Sequence, residues 1–200
     1  MAEVKPLKQR DSFSTDAFSM KNLNTPNDRD KKKKRQKAAS EYKKSLTEKQ
    51  ALKALYGLSE KQCKRYVKEA LEKMGRVENI SDELIKGLEK RLDNVIFRLG
   101  FAKSRPHARQ LVSHAYFLVN GKPVNIPSFR VKKGDVILIK ETKKKKLVFE
   151  SLSTLLKKME APQWLNLNKD KVEAKVTGEP TLAEVNPPVE ISLIFEFYSR

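Results

Sequence analysis

Four arginines carry the strongest chemical signal in this chain. Arg105 and Arg109 stand one helical turn apart in Ser104-Arg105-Pro106-His107-Ala108-Arg109-Gln110-Leu111-Val112. Arg91 and Arg98 stand two turns apart in Arg91-Leu92-Asp93-Asn94-Val95-Ile96-Phe97-Arg98-Leu99-Gly100-Phe101. Cations at such spacing share one face of a helix, and helix starts add backbone N–H groups that favour anions. The chemistry this suits is the gripping of phosphate.

The elements that must hold these side chains are legible around them. Leu92, Val95, Ile96 and Leu99 fall at i, i+3, i+4, i+7, which predicts one amphipathic helix, with Gly100 suited to end it in a left-handed conformation. Ala108, Leu111, Val112 and Ala115 repeat the spacing in a second helix, for which Ser104 is the N-cap and Pro106 lies in the first turn. Phe117-Leu118-Val119 and Pro123-Val124 flank Asn120-Gly121, a tight hairpin turn, and Lys133-Gly134-Asp135 turns into a strand over Val136-Ile137-Leu138-Ile139. Upstream, Leu52, Leu55, Val67 and Leu71 among charges predict two or three helices, interrupted at Gly57 after Tyr56. Ser59 and Gln62 there have capping-box spacing, and a further helix is expected from Asp82 to Lys90. Downstream, Leu152, Leu155 and Leu156 suggest a helix. Gly178-Glu179-Pro180 and Asn186-Pro187-Pro188 mark turns, and the alternation of Val189, Ile191, Leu193, Phe195 and Phe197 predicts a strand.

Composition points to a polyanionic partner by an independent route. Lys and Arg number 43 against 25 Asp and Glu, giving a net charge of +18 and a pI near 9.9. Such a field favours polyanions and, at low salt, fast steered association. Nucleic acid is expected rather than a membrane surface, since no long apolar run, no signal-peptide core after Met1-Ala2-Glu3-Val4-Lys5 and no lipidation signal is found. A hydrophobic content of 38% is low for a large core, so part of the chain should order only on its partner. Residues 1–38 are polar and hold Lys31, Lys32, Lys33, Lys34 and Arg35. They are read as a basic, largely extended arm that threads into RNA, with a solvated tail as the alternative. The run Lys143-Lys144-Lys145-Lys146 is open between a solvated loop and a further phosphate contact. Cys63, the only cysteine, rules out an intrachain disulfide and suits a reducing compartment.

Catalytic and metal readings fail on the same residues. His107 and His114 share a helix face without neighbouring Cys or carboxylate ligands, so hydrogen bonding to RNA or solvent is expected instead of a metal site. Phosphate-loop, dinucleotide-glycine and nucleophile-elbow patterns are absent. Arg91-Leu92-Asp93 resembles the aspartate motif of pseudouridine synthases, but Asn94-Val95-Ile96 stands where a Thr-Ser-Gly-like continuation belongs, and no room remains for that large catalytic domain. Asp93 is expected to pair with a nearby arginine or to cap its own helix. The chain is read as no enzyme and as needing no cofactor.

The arginine-bearing block resembles the RNA-binding module named after ribosomal protein S-four, and the chain as a whole is similar to that family from residue 40 onward. The likeness rests on Ser40-Glu41-Tyr42, Leu46, Glu48-Lys49-Gln50, Leu52 and Tyr56-Gly57-Leu58-Ser59-Glu60-Lys61-Gln62 upstream. Downstream it rests on Val124, Pro127-Ser128-Phe129-Arg130-Val131, Gly134-Asp135, Pro162, Trp164-Leu165 and the closing Phe195-Glu196-Phe197-Tyr198-Ser199-Arg200. Many bacterial relatives carry an N-terminal cysteine cluster that holds zinc, and others a Pro-Gly-Gln-His-Gly-type element. Neither is present, so no zinc is expected, and Asn27-Asp28-Arg29-Asp30 with the lysine run takes that place.

The resemblance implies an α+β fold: a helical N-terminal domain, an inserted small RNA-binding module of two helices packed on a small twisted sheet, and a C-terminal strand segment. The domains expected are the arm 1–38, a helical domain 39–90 completed by 160–200, and the module 91–152. It also implies a structural constituent of the small ribosomal subunit, located in the cytoplasmic ribosome, with an organellar ribosome as the alternative. Such a protein binds the 5′ domain of small-subunit ribosomal RNA at a helix junction and nucleates its assembly, by shape and phosphate readout. Further partners implied are ribosomal proteins S-five and S-three and messenger RNA where it enters its channel, with a role in translational accuracy. Carried onto this sequence, the contact residues are Arg91, Arg98, Ser104, Arg105, His107, Arg109, Gln110 and His114, then Asn120, Gly121, Ser128 and Arg130, with Phe129 beside them. Tyr56 and Tyr198 are open between base stacking and core packing. The alternative function is a free RNA-binding or translation-quality factor that uses the same module off the subunit.

Overall fold

The computed structural model describes residues 40–144, 161–168 and 172–199. The expected arm with Lys31, Lys32, Lys33, Lys34 and Arg35, and the helix around Leu152, Leu155 and Leu156, lie outside the described residues.

Helices build the first half. α1 (Glu41–Tyr56) starts where Ser40 accepts a hydrogen bond from the Lys43 amide, and it stops at Gly57, whose φ of 60° is the left-handed turn a side chain would resist. α2 (Glu60–Leu71) opens with the expected capping box, in which Ser59 and Gln62 bond reciprocally at 3.2 and 3.1 Å. α3 (Ile80–Glu89) begins at an Asn79 cap, two residues before the expected start. Their apolar faces meet in a first core of Leu52, Tyr56, Val67, Leu84, Ile85 and Leu88.

The second half is α+β. α4 (Leu92–Arg98) and α5 (Arg105–Ser113) bury Leu92, Val95, Ile96, Ala108, Leu111 and Val112, which are at most 3% exposed. Burial of each large aliphatic contributes roughly 1.5–3 kcal/mol. Ser104 caps α5 through the His107 amide, and Gly100 has φ 77°. Ala115, expected on the α5 stripe, instead lies beyond the helix with φ 52°, because α5 ends at Ser113 with His114 as its C-cap. The helices cover an antiparallel sheet of order β2-β1-β3-β5-β4. Its strands are β1 (Phe117–Val119), β2 (Lys122–Val124), β3 (Val136–Ile139), β4 (Leu165–Asn168) and β5 (Glu173–Val176). A short α6 (Glu141–Lys144) follows β3. Asn120 and Gly121, at φ 51° and 78°, make the hairpin turn between β1 and β2. Alternation sends Phe117, Val119, Ile137, Ile139, Ala174 and Val176 into the second core.

The C-terminal segment divides between the two cores. Residues 165–168 and 173–176, where no strand was expected, complete the sheet by pairing β5 with β3. α7 (Leu182–Val185) and α8 (Ile191–Ser199) pack on the first core. The strand expected over 189–197 is therefore corrected to the helix α8. Ile191, Ile194, Phe195 and Tyr198 satisfy helical spacing as well as the alternation did, and Ile191 and Ile194 fill the first core. The start of α8 is tied to α1, since the Glu190 amide donates to the Glu48 carboxylate at 2.9 Å.

Candidate nucleic-acid interface

The four arginines converge where the first core meets the second, and their side chains are largely spent on the protein itself. Arg91 is 1% exposed. Its Nε and Nη2 donate to Asp93 at 3.0 and 2.7 Å, and its Nη1 donates to the Tyr66 hydroxyl at 3.0 Å. Burial opposes its charge, but the bonds to Asp93 prevail and raise its pKa above the ordinary arginine value. Arg109 donates to the same Asp93 carboxylate at 3.0 and 2.9 Å and reaches back to the carbonyls of Tyr56 and Gly57, which end α1. Asp93 thus pairs with two arginines and also accepts from the Asn94 amide at 2.9 Å.

A second carboxylate, Glu89, is fully buried and does the same for Arg98. It accepts from Arg98 at 3.0 and 2.8 Å, from Asn94 at 2.7 Å and from the Tyr56 hydroxyl at 2.7 Å. Burial and the adjacent Glu89 charge push the Tyr56 phenol upward, so it stays a donor. Tyr56 is a core aromatic at 2% exposed. Glu89 and Asn94 were absent from the expected site. Their signal was Glu89 itself, a carboxylate continuing the buried Ile85-Leu88 stripe at i+4 and i+1, where only a strongly paired acid is tolerated.

Arg105 differs from the other three. Its Nε donates to Asn94 Oδ1 at 2.8 Å, and its guanidinium lies over the rings of Phe97 and Tyr56, 4.6 and 5.0 Å from their centroids. Among the described residues it has no carboxylate partner. Burial, with the nearby Arg98 charge, lowers its pKa against the opposing charges of Glu89 and Asp93, so the group is a partly desolvated cation held without a direct ion pair. A fork so fixed is organised for an anionic acceptor from outside.

The remaining expected contacts sort by what their side chains already do. His107, Gln110 and His114 lie at or near the α5 surface at i, i+3, i+7, half-buried, exposed and exposed. Ser104 is used as the α5 cap. Asn120 bonds Asp135 and the Val136 amide, both at 2.9 Å, so it shapes the turn, while Gly121 is exposed at the tip. Arg130 is exposed, pairs with Glu69 and lies 5.2 Å over the Tyr66 ring, and Ser128 is half-buried. The expectation that Arg91 is presented outward is corrected, because its buried guanidinium is saturated by Asp93 and Tyr66. The start of α4 is likewise closed to anions, since the Leu92 and Asp93 amides donate to the carbonyls of Phe129 and Pro127. Tyr198 packs on the first core and donates to Glu60 at 2.7 Å. Among the described residues, no group of three or more His, Cys, Asp or Glu is arranged to hold a metal, and no helix is long and apolar enough to cross a membrane.

Comparison with known proteins matches both halves of this architecture. The arginine-bearing half, residues 90–137, matches the family model of the S4 domain, and residues 3–89 match that of the ribosomal protein S4/S9 N-terminal domain. The small ribosomal subunit protein uS4 of Halothermothrix orenii is 46% identical over 166 residues, covering 83% of this chain and 78% of the relative. The chain belongs to the uS4 family. The uS4 proteins of Caldicellulosiruptor saccharolyticus and Persephonella marina are each 46% identical, over 164 and 161 residues. They cover 82% and 80% of this chain and 77% of their own length. Within this uS4-type chain, the arginine cluster spans the junction of the two matched regions, with Glu89 at the end of one and Asp93 near the start of the other.

Proposed function

We propose that this chain is a non-catalytic structural constituent of the small subunit of the cytoplasmic ribosome, one that binds small-subunit ribosomal RNA directly. Membership of the uS4 family over most of the chain carries the reading. The Arg105 fork, partly desolvated and without a direct carboxylate partner among the described residues, supports it at the level of residues. The contact surface comprises Arg105, His107, Gln110 and His114 on α5, with the outer part of Arg98, the Gly121 tip, Ser128, Arg130 and the lysine-rich arm. Arg109, Ser104 and Asn120 serve it by fixing geometry.

The finer reading is that the protein recognises a helix junction in the 5′ domain by matching phosphates and 2′-hydroxyls, and so nucleates folding of that region. The deep, narrow major groove of RNA hides base edges, and a rigid array of cations reads shape instead. The internal arginine network favours such a mode because it holds the two cores in one register. As domains we propose the arm 1–38, a helical domain 39–90 closed by 182–199, and a module 91–152 that also takes in 161–176. Ribosomal proteins S-five and S-three, and messenger RNA where it enters its channel, are the proposed neighbours, with decoding accuracy depending on the contact with S-five. The test is fractionation of cells after a high-salt wash. Retention on small subunits is expected, whereas release into a free pool would make this a free RNA-binding factor.

A further inference from the structure

We infer that Asn94 is a positioning residue for RNA binding: it holds the Arg105 fork in place with a neutral oxygen, so the guanidinium is oriented yet keeps its charge for a phosphate. The inference rests on the proposed RNA contact of Arg105 and deepens it. Asn94 is 2% exposed and lies in the first turn of α4. Its Nδ2 donates to Glu89 Oε2 at 2.7 Å and to the Glu89 carbonyl at 3.3 Å, and its Oδ1 accepts from Arg105 Nε at 2.8 Å.

The chemistry of its partners allows the amide one orientation. The carboxylate and carbonyl oxygens of Glu89 only accept, and a guanidinium nitrogen only donates. Turning the amide over would set oxygen against oxygen and N–H against N–H, and would leave buried polar groups unpaired. Glu89 is itself fixed, because Arg98 and the Tyr56 hydroxyl donate to the same carboxylate. Support therefore runs from Glu89 through Asn94 to Arg105. The rings of Phe97 and Tyr56 pack against the guanidinium, and its Nη1 and Nη2 are left without a hydrogen bond among the described residues.

A neutral side chain at position 94 is what separates Arg105 from its neighbours. Arg91, Arg98 and Arg109 each bond a buried carboxylate, Asp93 or Glu89, so their charges are compensated in place. An aspartate of the same shape at position 94 would compensate Arg105 too, and would set a second negative charge against Glu89. The amide supplies direction without compensation. With Nε spent on Asn94, the two Nη ends remain for the bidentate grip that phosphate oxygens accept. A long side chain ordered before binding also loses less freedom when the anion arrives, which strengthens the contact.

The test is a double-mutant cycle in the full chain, titrated against purified small-subunit ribosomal RNA: wild type, Asn94→Leu, Arg105→Ala and the two together. Leucine approximates the shape of asparagine without its donor or acceptor, and urea unfolding checks that each variant folds. Arg105→Ala should weaken binding about 5- to 150-fold, the range for one lost charged contact. Asn94→Leu should weaken it about tenfold, near the upper end of what ordering one long side chain costs on binding, but less than about twofold when Arg105 is already alanine. Equal weakening in both backgrounds, as a merely structural role would give, or no weakening in the first, overturns the inference and leaves the Arg105 contact standing. Unchanged binding by Arg105→Ala removes that contact and the inference with it, and failure of the wild type to bind rejects the proposed function itself. A second measurement needs no substitution at position 94 and decides the matter if Asn94→Leu does not fold. The Nε–H signal of Arg105 in the wild type, identified by its loss in Arg105→Ala, should exchange with water more slowly than that of free arginine, and exchange at the free rate overturns the inference.

Discussion

Replacing Asp93 by Ala tests whether the arginine network is structural. Asp93 is 3% exposed and accepts two bonds from Arg91, two from Arg109 and one from the Asn94 amide. Without it, the guanidinium of Arg91 is left at 1% exposure with the Tyr66 hydroxyl as its only hydrogen-bond partner among the described residues. Breaking a buried pair in this way costs about 3–5 kcal/mol, because an uncompensated charge remains. Total stability for such a chain is on the order of 5–15 kcal/mol, so the loss is a large fraction of it. Urea unfolding of the full chain, followed by helical circular dichroism and by fluorescence of Trp164 in the second core, reads this directly. A double variant, Arg91→Met/Asp93→Ala, removes the orphan charge and should be more stable than Asp93→Ala alone. A cost below about 1 kcal/mol for Asp93→Ala, or a double variant whose losses simply add, would refute the argument.

Three further outcomes follow from the geometry. Arg105→Ala should lower affinity for small-subunit ribosomal RNA by about 1–3 kcal/mol, and Arg105→Lys should fail to restore it because the fork is lost; unchanged binding in a filter titration would remove Arg105 from the interface. Arg109→Ala should act chiefly on stability, lowering it by about 1.5–3 kcal/mol in the urea assay, since its donors go to Asp93 and to two backbone carbonyls. Glu60 governs an acid transition: partial burial pushes its pKa up, but hydrogen bonds from Lys53, Tyr198 and Lys49 win and lower it to about 2 from 4.5. A carboxylate depressed on folding stabilises fully above pH 4.5, and that contribution fades as pH falls towards 2. The melting-temperature advantage of wild type over Glu60→Gln should therefore hold steady above pH 5 and vanish near pH 2, and a pH-independent difference would count against it.

The elements around the arginines were readable because several local signals agreed. In α4 and α5, periodicity, the Ser104 cap and Gly100 all named the same helices, and Asn120-Gly121 named the hairpin turn. The segment 189–197 misled because its dense apolar residues satisfy two periods at once. Only the first core, which takes up Ile191 and Ile194, selects the helix. β4 and β5 carried an alternation in Leu165-Asn166-Leu167-Asn168 and Glu173-Ala174-Lys175-Val176, but short strands gain meaning only from the edge of β3 that receives them. The arginines were recognised by type and spacing, yet three of them point into carboxylates. Spacing along one helix does not reveal that Glu89 lies against α4, or that α1 ends beneath Arg109. The pairing of Asp93 with a nearby arginine, by contrast, was one of two expected readings beside capping of its own helix, and the structure shows the pair with Arg91.

The central claim, that this chain recognises one folded RNA by shape, is tested most directly by a binding titration against the 5′-domain junction of small-subunit ribosomal RNA. Transfer RNA and a duplex of equal length serve as competitors at several salt concentrations. The account predicts a preference of about a thousandfold or more that survives at physiological salt. Equal binding to all three RNAs, collapsing together as salt rises, would show that net charge alone is at work and would contradict it.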